Sequence, residues 1–146
     1  SHEKVSVRRY RQLPFSVVFI DLDDFKKIND SYGHDNGDRV LKHLAKTLKR
    51  LLRKNDIYAR WGGEEFVVAL PIITKETAIR VAEKLREGLE KSEIKLGGKK
   101  IRITMSVGVV MHYNEKNLSE MVARADEAMY EAKKSGKNRV VIFIHN

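Results

Sequence analysis

A short apolar run, Phe15 to Ile20 (FSVVFI), stops abruptly against Asp21, Leu22, Asp23 and Asp24, and this junction constrains the fold more than any other feature of the chain. Six residues rich in β-branched and aromatic side chains, bounded by acids, read as a buried strand. Strand ends are where a rigid scaffold presents polar groups, so the carboxylates that close this run are the first candidates for chemistry.

Phe25 to Ser31 reads as a short helix, Tyr32 to Asn36 as a turn around Gly33, and Gly37 to Arg53 as a long amphipathic helix. The apolar face of the long helix is Val40, Leu41, Leu44, Ala45, Leu48, Leu51 and Leu52. Asp56 to Trp61 and Glu65 to Leu70 are β-prone runs joined at Gly62-Gly63, a dipeptide suited to a tight hairpin because glycine accepts positive φ. Thr74 to Lys91 has a second helical pattern. Gly97-Gly98 turns a further hairpin into a strand over Ile101 to Met111. Asn117 and Glu120 have the spacing of a capping box ahead of a helix over Leu118 to Lys134. Gly136 stops that helix and Val140 to Ile144 closes the order β, α, α, β, β, α, β, β, α, β. The fold class is α/β, an α+β sandwich with a central, mainly antiparallel five-stranded sheet flanked by helices, plus a small β-hairpin.

The 146 residues, 42% hydrophobic, fit a single domain. Residues 1–14 read as a linker and 15–146 as the domain. Ser1-His2 has the look of a cloning scar, and the absent initiator Met points to an upstream regulatory region. No run approaches the roughly 20 apolar residues that cross a bilayer, and no secretory signal opens the chain, so a cytoplasmic domain without membrane contact is expected. Cysteine is absent, which removes thiol nucleophiles and thiolate metal sites and leaves oxygen and imidazole as ligands. Any metal here should be a hard cation.

With 29 Lys and Arg against 20 Asp and Glu the formal charge is +9, suited to nucleic acid, an anionic membrane or a phosphate-rich small substrate. Lys42, Lys46, Lys49, Arg50 and Arg53 fall opposite the leucine face, as a solvated helix surface does. Asp21 with Asp23 and Asp24, and Glu64 with Glu65, would converge if the first strand lies beside the Gly62-Gly63 hairpin, and like charges held close need a cation or a raised pKa. Read in isolation, Asp23 or Asp24 simply caps the next helix and the glutamates are turn residues. An EF-hand is excluded by Phe25 at its fifth position and by the preceding strand. No Walker pattern and no His-Glu-x-x-His occur, and His2, His43, His112 and His145 have no mutual metal spacing. Trp61 reads as a packing residue, and Met105, Met111, Met121 and Met129 as core.

Five segments together carry a resemblance. DLDDFKKIND from Asp21, GHDNGDRVL from Gly33, RWGGEEF from Arg60, MSVGV from Met105 and YEAKKSGKN from Tyr130 are similar, in order, to the signatures of GGDEF-domain diguanylate cyclases, here in the GGEEF form. The resemblance runs from about Phe15 to Ile144 and implies a nucleotidyl cyclase or polymerase-palm fold.

It implies that Asp21, the Leu22 carbonyl, Glu64 and Glu65 hold Mg2+ or Mn2+, two per GTP, with Glu64 or Glu65 as the catalytic base and Glu64 favoured. Asn29 and Asp38 would read guanine, because an amide offers donor and acceptor while a carboxylate accepts from N1 and the amino group. Lys26, Lys133 and Lys137 would neutralise the triphosphate, with Gly62 and Gly63 letting backbone approach it. The implied reaction condenses two GTP into cyclic di-GMP and releases two pyrophosphates, which requires a homodimer with two domains face to face. Arg53 and Asp56 match the family's Arg-x-x-Asp inhibitory site for cyclic di-GMP, so product inhibition is expected. Two departures stand out: residues 1–14 lack an Asp-x-Leu-Thr segment, and Lys137 stands where many members carry arginine.

Two other classes compete. One is a catalytically inactive module that senses cyclic di-GMP through Arg53 and Asp56, or GTP through Asn29 and Asp38; intact Asp21, Glu64 and Glu65 argue against it. The other is a basic nucleic-acid binder, for which charge is the sole support, so no nucleic-acid partner is expected.

Overall fold

The computed structural model describes residues 13–146, so the polar lead is outside the described residues except for Leu13 and Pro14. Strand β1 (Phe15–Leu22) leads into helices α1 (Phe25–Tyr32) and α2 (His34–Leu51), then strands β2 (Ile57–Arg60) and β3 (Glu65–Pro71). Helix α3 (Lys75–Lys91), the hairpin of β4 (Ile94–Leu96) and β5 (Lys99–Ile101), strand β6 (Met105–Met111), helix α4 (Leu118–Lys134) and β7 (Val140–Ile142) complete it. The sheet order is β2-β3-β1-β6-β7, antiparallel except for the β6–β7 pair, and β4-β5 stands apart as a two-stranded sheet.

Alternation along β1 explains the two layers. Side chains on a strand point alternately to either face. Val18, Ile20 and Leu22 join the core built with α1, α2 and α3, through Leu44, Leu48, Leu85 and Leu89. Val17 and Phe19 join the other core, with Met121, Val122, Ala125 and Met129 of α4. Burying each of these large side chains contributes roughly 1.5–3 kcal/mol. The period then places Asp21 on the α4 face, next in line after Val17 and Phe19.

Several boundaries differ from the sequence expectation. The strand β1 runs two residues past Ile20, with Asp21 paired to Glu65 of β3 and Ser106 of β6, and Leu22 paired to Met105 of β6. Gly33 alone separates the first two helices, and α2 starts at His34. The expected strand over Ile101 to Met111 is broken at Arg102–Thr104, because the Thr104 carbonyl accepts from the Asp23 backbone N–H at 2.9 Å instead of extending the β4–β5 pair. The closing strand ends at Ile142. Trp61 is 52% exposed beyond the end of β2, which overturns its reading as a packing residue. Met105, Met121 and Met129 are buried as expected.

The α4 cap differs in one partner. Asn117 Oδ1 accepts from the Glu120 N–H at 2.9 Å, but Glu120 Oε2 accepts from Lys116 rather than from Asn117. At the opposite end of β1 from Asp21, the buried Glu115 carboxylate accepts from the Tyr113 N–H at 2.8 Å and pairs with Arg124 and His145. His112 stacks on Phe15, so this clasp ties both ends of the described chain to one edge. No described helix is long and apolar enough to cross a membrane.

Candidate active site

The register of β1 on β3 brings the expected carboxylates together. Asp21 is the cross-strand partner of Glu65, and the Leu22 N–H donates to the Glu64 carbonyl at 3.3 Å. Burial raises the Asp21 carboxyl to about 6 against the opposing pull of Lys133, and the charges of Glu64 and Glu65 add to the rise. Burial, then Asp126 of α4, then Glu64 raise Glu65. Asp21 Oδ1 is buried and accepts no hydrogen bond among the described residues. Lys133 Nζ lies 3.1 Å from that oxygen as a charge contact without hydrogen-bond alignment. It donates instead to the Leu22 carbonyl and to Asp23 Oδ1, each at 3.0 Å.

Hard oxygen donors, an unbonded buried carboxylate oxygen and a carbonyl turned to the same point suit magnesium. Among the described residues no three carboxylate or imidazole groups gather closely enough to hold a metal alone. A metal here would draw on the Leu22 carbonyl and on ligand oxygens as well.

The glycines of the β2–β3 turn serve differently from expectation. Neither Gly62 nor Gly63 has positive φ. A Cβ on Gly62 would lie 2.2 Å from Glu65 Oε1, so the missing side chain makes room for the glutamate, while Gly63 faces open space. Arg60 Nε donates to the carbonyls of both, at 3.1 Å each, and shapes the turn.

Asn29 and Asp38 come together through Gly37. A Cβ on Gly37 would sit 1.8 Å from Asn29 Oδ1, so α1 presses its amide onto α2 beside Asp38. The Asn29 side chain makes no hydrogen bond among the described residues. Asp38, Leu41, Lys42, Tyr58, Arg60 and Phe66 line a groove of about 510 Å³. Another groove, about 790 Å³, lined by Leu13, Phe15, Ile57, Pro71, Ile72 and His112, is mainly apolar and far from these carboxylates.

The three lysines expected at the triphosphate are not equivalent. Lys26 is exposed with no ion pair among the described residues. Lys137, at φ 63°, pairs with Asp24 at 2.7 Å, which raises the lysine and lowers the aspartate. Lys133 is the one beside Asp21. Arg53 and Asp56 grip each other: Arg53 Nε donates to Asp56 Oδ1 at 2.9 Å, the Arg53 N–H donates to Oδ2 at 2.7 Å, and the carboxylate is fully covered. They stand at the far end of β2 from the glycine turn.

Sequence reasoning missed the role of Asp23, which caps no helix. Its buried carboxylate accepts from Thr104 Oγ1 and Ser106 Oγ, at 2.7 Å each, from the Asn138 N–H at 3.0 Å and from Lys133. Asp24, at the N-cap of α1, makes no side-chain cap either. Ser106 and Asn138 lie inside the segments that carried the resemblance, and that was the available signal.

Residues 2–139 match the family described as "Diguanylate cyclase, GGDEF domain". The chain belongs to that family. The GGDEF domain is 44% identical over 132 residues to diguanylate cyclase A of Treponema denticola, covering 90% of this chain and 36% of that protein. The chain thus spans about a third of that relative's length. It superposes on the active GGEEF domain of a diguanylate cyclase from Vibrio cholerae with a TM-score of 0.86 at 34% identity, covering 99% of this chain and 92% of that one. The GGDEF domain of DgcB from Caulobacter crescentus, solved in complex with c-di-GMP, gives 0.86 at 26% identity, covering 95% and 84%. The α+β architecture with its five-stranded sheet is therefore that of GGDEF domains.

Proposed function

We propose that this GGDEF domain condenses two GTP molecules into cyclic di-GMP. The observation that carries the reading is the meeting of Asp21 with Glu64 and Glu65 at the β1–β3 end, with a buried, unbonded carboxylate oxygen raised to about 6. Asp21, the Leu22 carbonyl, Glu64 and Glu65 hold Mg2+ or Mn2+, two per GTP. When bound, the metal stabilises charge on the phosphoryl oxygens and acidifies the attacking hydroxyl.

The chain's own residues do the rest. Asn29 and Asp38 select guanine, with the unbonded Asn29 amide and the groove beside Asp38 in support. Lys26, Lys133 and Lys137 neutralise the triphosphate. Glu64 accepts the proton of the ribose 3′-hydroxyl. Each 3′-oxygen then bonds to the α-phosphorus of the other nucleotide, the α–β bridging bond breaks, and pyrophosphate leaves; two bonds form and two break. Because one domain holds one GTP, turnover requires a homodimer with two sites face to face. Arg53 binds cyclic di-GMP as inhibitor, its half-exposed guanidinium in support, and Asp56 joins only if that ligand loosens their mutual pair.

Incubation with GTP and Mg2+ at high protein concentration, with nucleotides resolved by chromatography, tests this. Cyclic di-GMP and pyrophosphate are expected, and Glu64→Gln should abolish both while leaving the fold intact. Unchanged turnover in that variant removes Glu64 from the chemistry.

A further inference from the structure

Of the three lysines assigned to phosphate, Lys133 alone touches Asp21 or the Leu22 carbonyl among the described residues. Its ammonium lies 3.1 Å from Asp21 Oδ1 and 3.0 Å from the Leu22 oxygen, the two oxygens of β1 that the preceding reading gives to the metal. From these distances we infer that Lys133 is an internal cation that keeps the metal's place: with nucleotide absent it competes with the divalent ion for Asp21, and it yields the position when nucleotide phosphates offer it another partner. This rests on the assignment of Asp21 as a metal ligand.

Three features support the exchange. First, an ammonium and a divalent cation cannot share one pair of oxygens, because their repulsion at such separations is large in a partly buried site. Lys133 is 23% and Asp21 14% exposed, so water screens the pair poorly. Second, the Lys133 contact to Asp21 is the one that lacks hydrogen-bond alignment, so it is the easiest to release.

Third, Asp23 is a post that stays. Thr104, Ser106 and the Asn138 N–H hold its carboxylate independently of Lys133. The lysine can therefore leave Asp21 and the Leu22 carbonyl while keeping its 3.0 Å contact to Asp23 Oδ1, turning on a flexible four-carbon stem. Asp23 is thus a positioning residue: it keeps the ammonium within reach of both partners. Metal and nucleotide then bind with positive coupling, since each removes a cost of binding the other.

The test is Mn2+ binding to nucleotide-free protein, followed by electron paramagnetic resonance, for the unaltered chain, Lys133→Met and Asp21→Asn. Lys133→Met should tighten Mn2+ by about tenfold or more, because a competing charge is gone. Asp21→Asn should abolish binding. Unchanged or weaker affinity in a folded Lys133→Met, with binding lost in Asp21→Asn, overturns the inference and leaves the metal assignment standing. Mn2+ binding indifferent to Asp21→Asn overturns both.

Removing Lys133 uncovers two buried carboxylates and can cost the fold, so the unaltered protein supplies a second measurement. The Lys133 side-chain ammonium resonance should shift on adding saturating Mg2+ alone, as the ammonium leaves Asp21 and the Leu22 carbonyl and stays on Asp23. A resonance unmoved by saturating Mg2+ overturns the exchange.

Discussion

Asp21 and Glu65 face each other directly across the β1–β3 ladder, two carboxylates on one buried face of a sheet. Burial first, and then the neighbouring charges of Glu64 and Glu65, make the ionised Asp21 unfavourable, which a cation or a raised pKa relieves. Asp21 ordinarily titrates at 3.8 and is raised to about 6, so its charged form is disfavoured in the folded state. The cost is absent below pH 3.8, grows between 3.8 and about 6, and is complete above. Asp21→Asn should therefore stabilise the metal-free protein at pH 7 by about 1 kcal/mol or more while abolishing cyclisation. Urea denaturation with chelator present checks the first, and product chromatography the second.

Asp23 and Asp24 are neighbours in sequence with opposite consequences. Removing the buried Asp23 strands Lys133, two hydroxyls and the Asn138 N–H, and Asp23→Ala should cost about 3–5 kcal/mol in urea denaturation. Asp24 pairs with Lys137 at the surface, and Asp24→Asn, which keeps a residue suited to its left-handed backbone, should leave stability unchanged within error.

Gly37 exists for Asn29. A methyl group there occupies the space of the Asn29 amide, yet within a helix alanine is intrinsically better than glycine by up to about 1 kcal/mol. Gly37→Ala should keep the melting temperature within a few degrees of the unaltered protein. The Kd for GTP, measured by calorimetry, should weaken by about tenfold as the amide is displaced.

Arg53→Ala should relieve inhibition by cyclic di-GMP without raising KM for GTP, since a β-strand of four residues, about 13 Å, separates it from the glycine turn. Progress curves run to high product concentration read this directly.

Glu115 sets the acid limit. Burial would raise it, but hydrogen bonds from the Tyr113 N–H, His145, its own backbone and Arg124 hold it at about 2, below its ordinary 4.5. The stabilisation is complete above pH 4.5 and is lost as pH falls towards 2, a change on the order of 3 kcal/mol. Glu115→Gln should lower stability at pH 7 and flatten the fall between pH 5 and 2, as followed by circular dichroism.

Much of this molecule was legible because its signals are local. The short β-branched apolar run Phe15 to Ile20, the leucine stripe from Val40 and the Asn117 cap each name their element without tertiary information. The grouping of Asp21 with Glu64 and Glu65 needed only the pairing of β1 with the hairpin. What escaped were partnerships between distant residues. Asp23 reads as a helix cap because nothing nearby shows that Thr104, Ser106 and Asn138 surround it. The Asp23 backbone N–H, donating to the Thr104 carbonyl, likewise broke the strand expected over Ile101 to Met111. Gly62 was expected to supply an unusual φ, and instead it supplies space for a side chain three residues on.

The Phe15–His112 stack and the Glu115–His145 pair hold the start of β1 and the residues after β7 at the end of the sheet farthest from the carboxylates. Phe15 and His145 lie at that end, about one strand length, on the order of 25 Å, from Asp21. A probe attached beside them would therefore report on the fold from the end of the strands opposite the acidic groups, with Asp21, Glu64 and Glu65 left untouched.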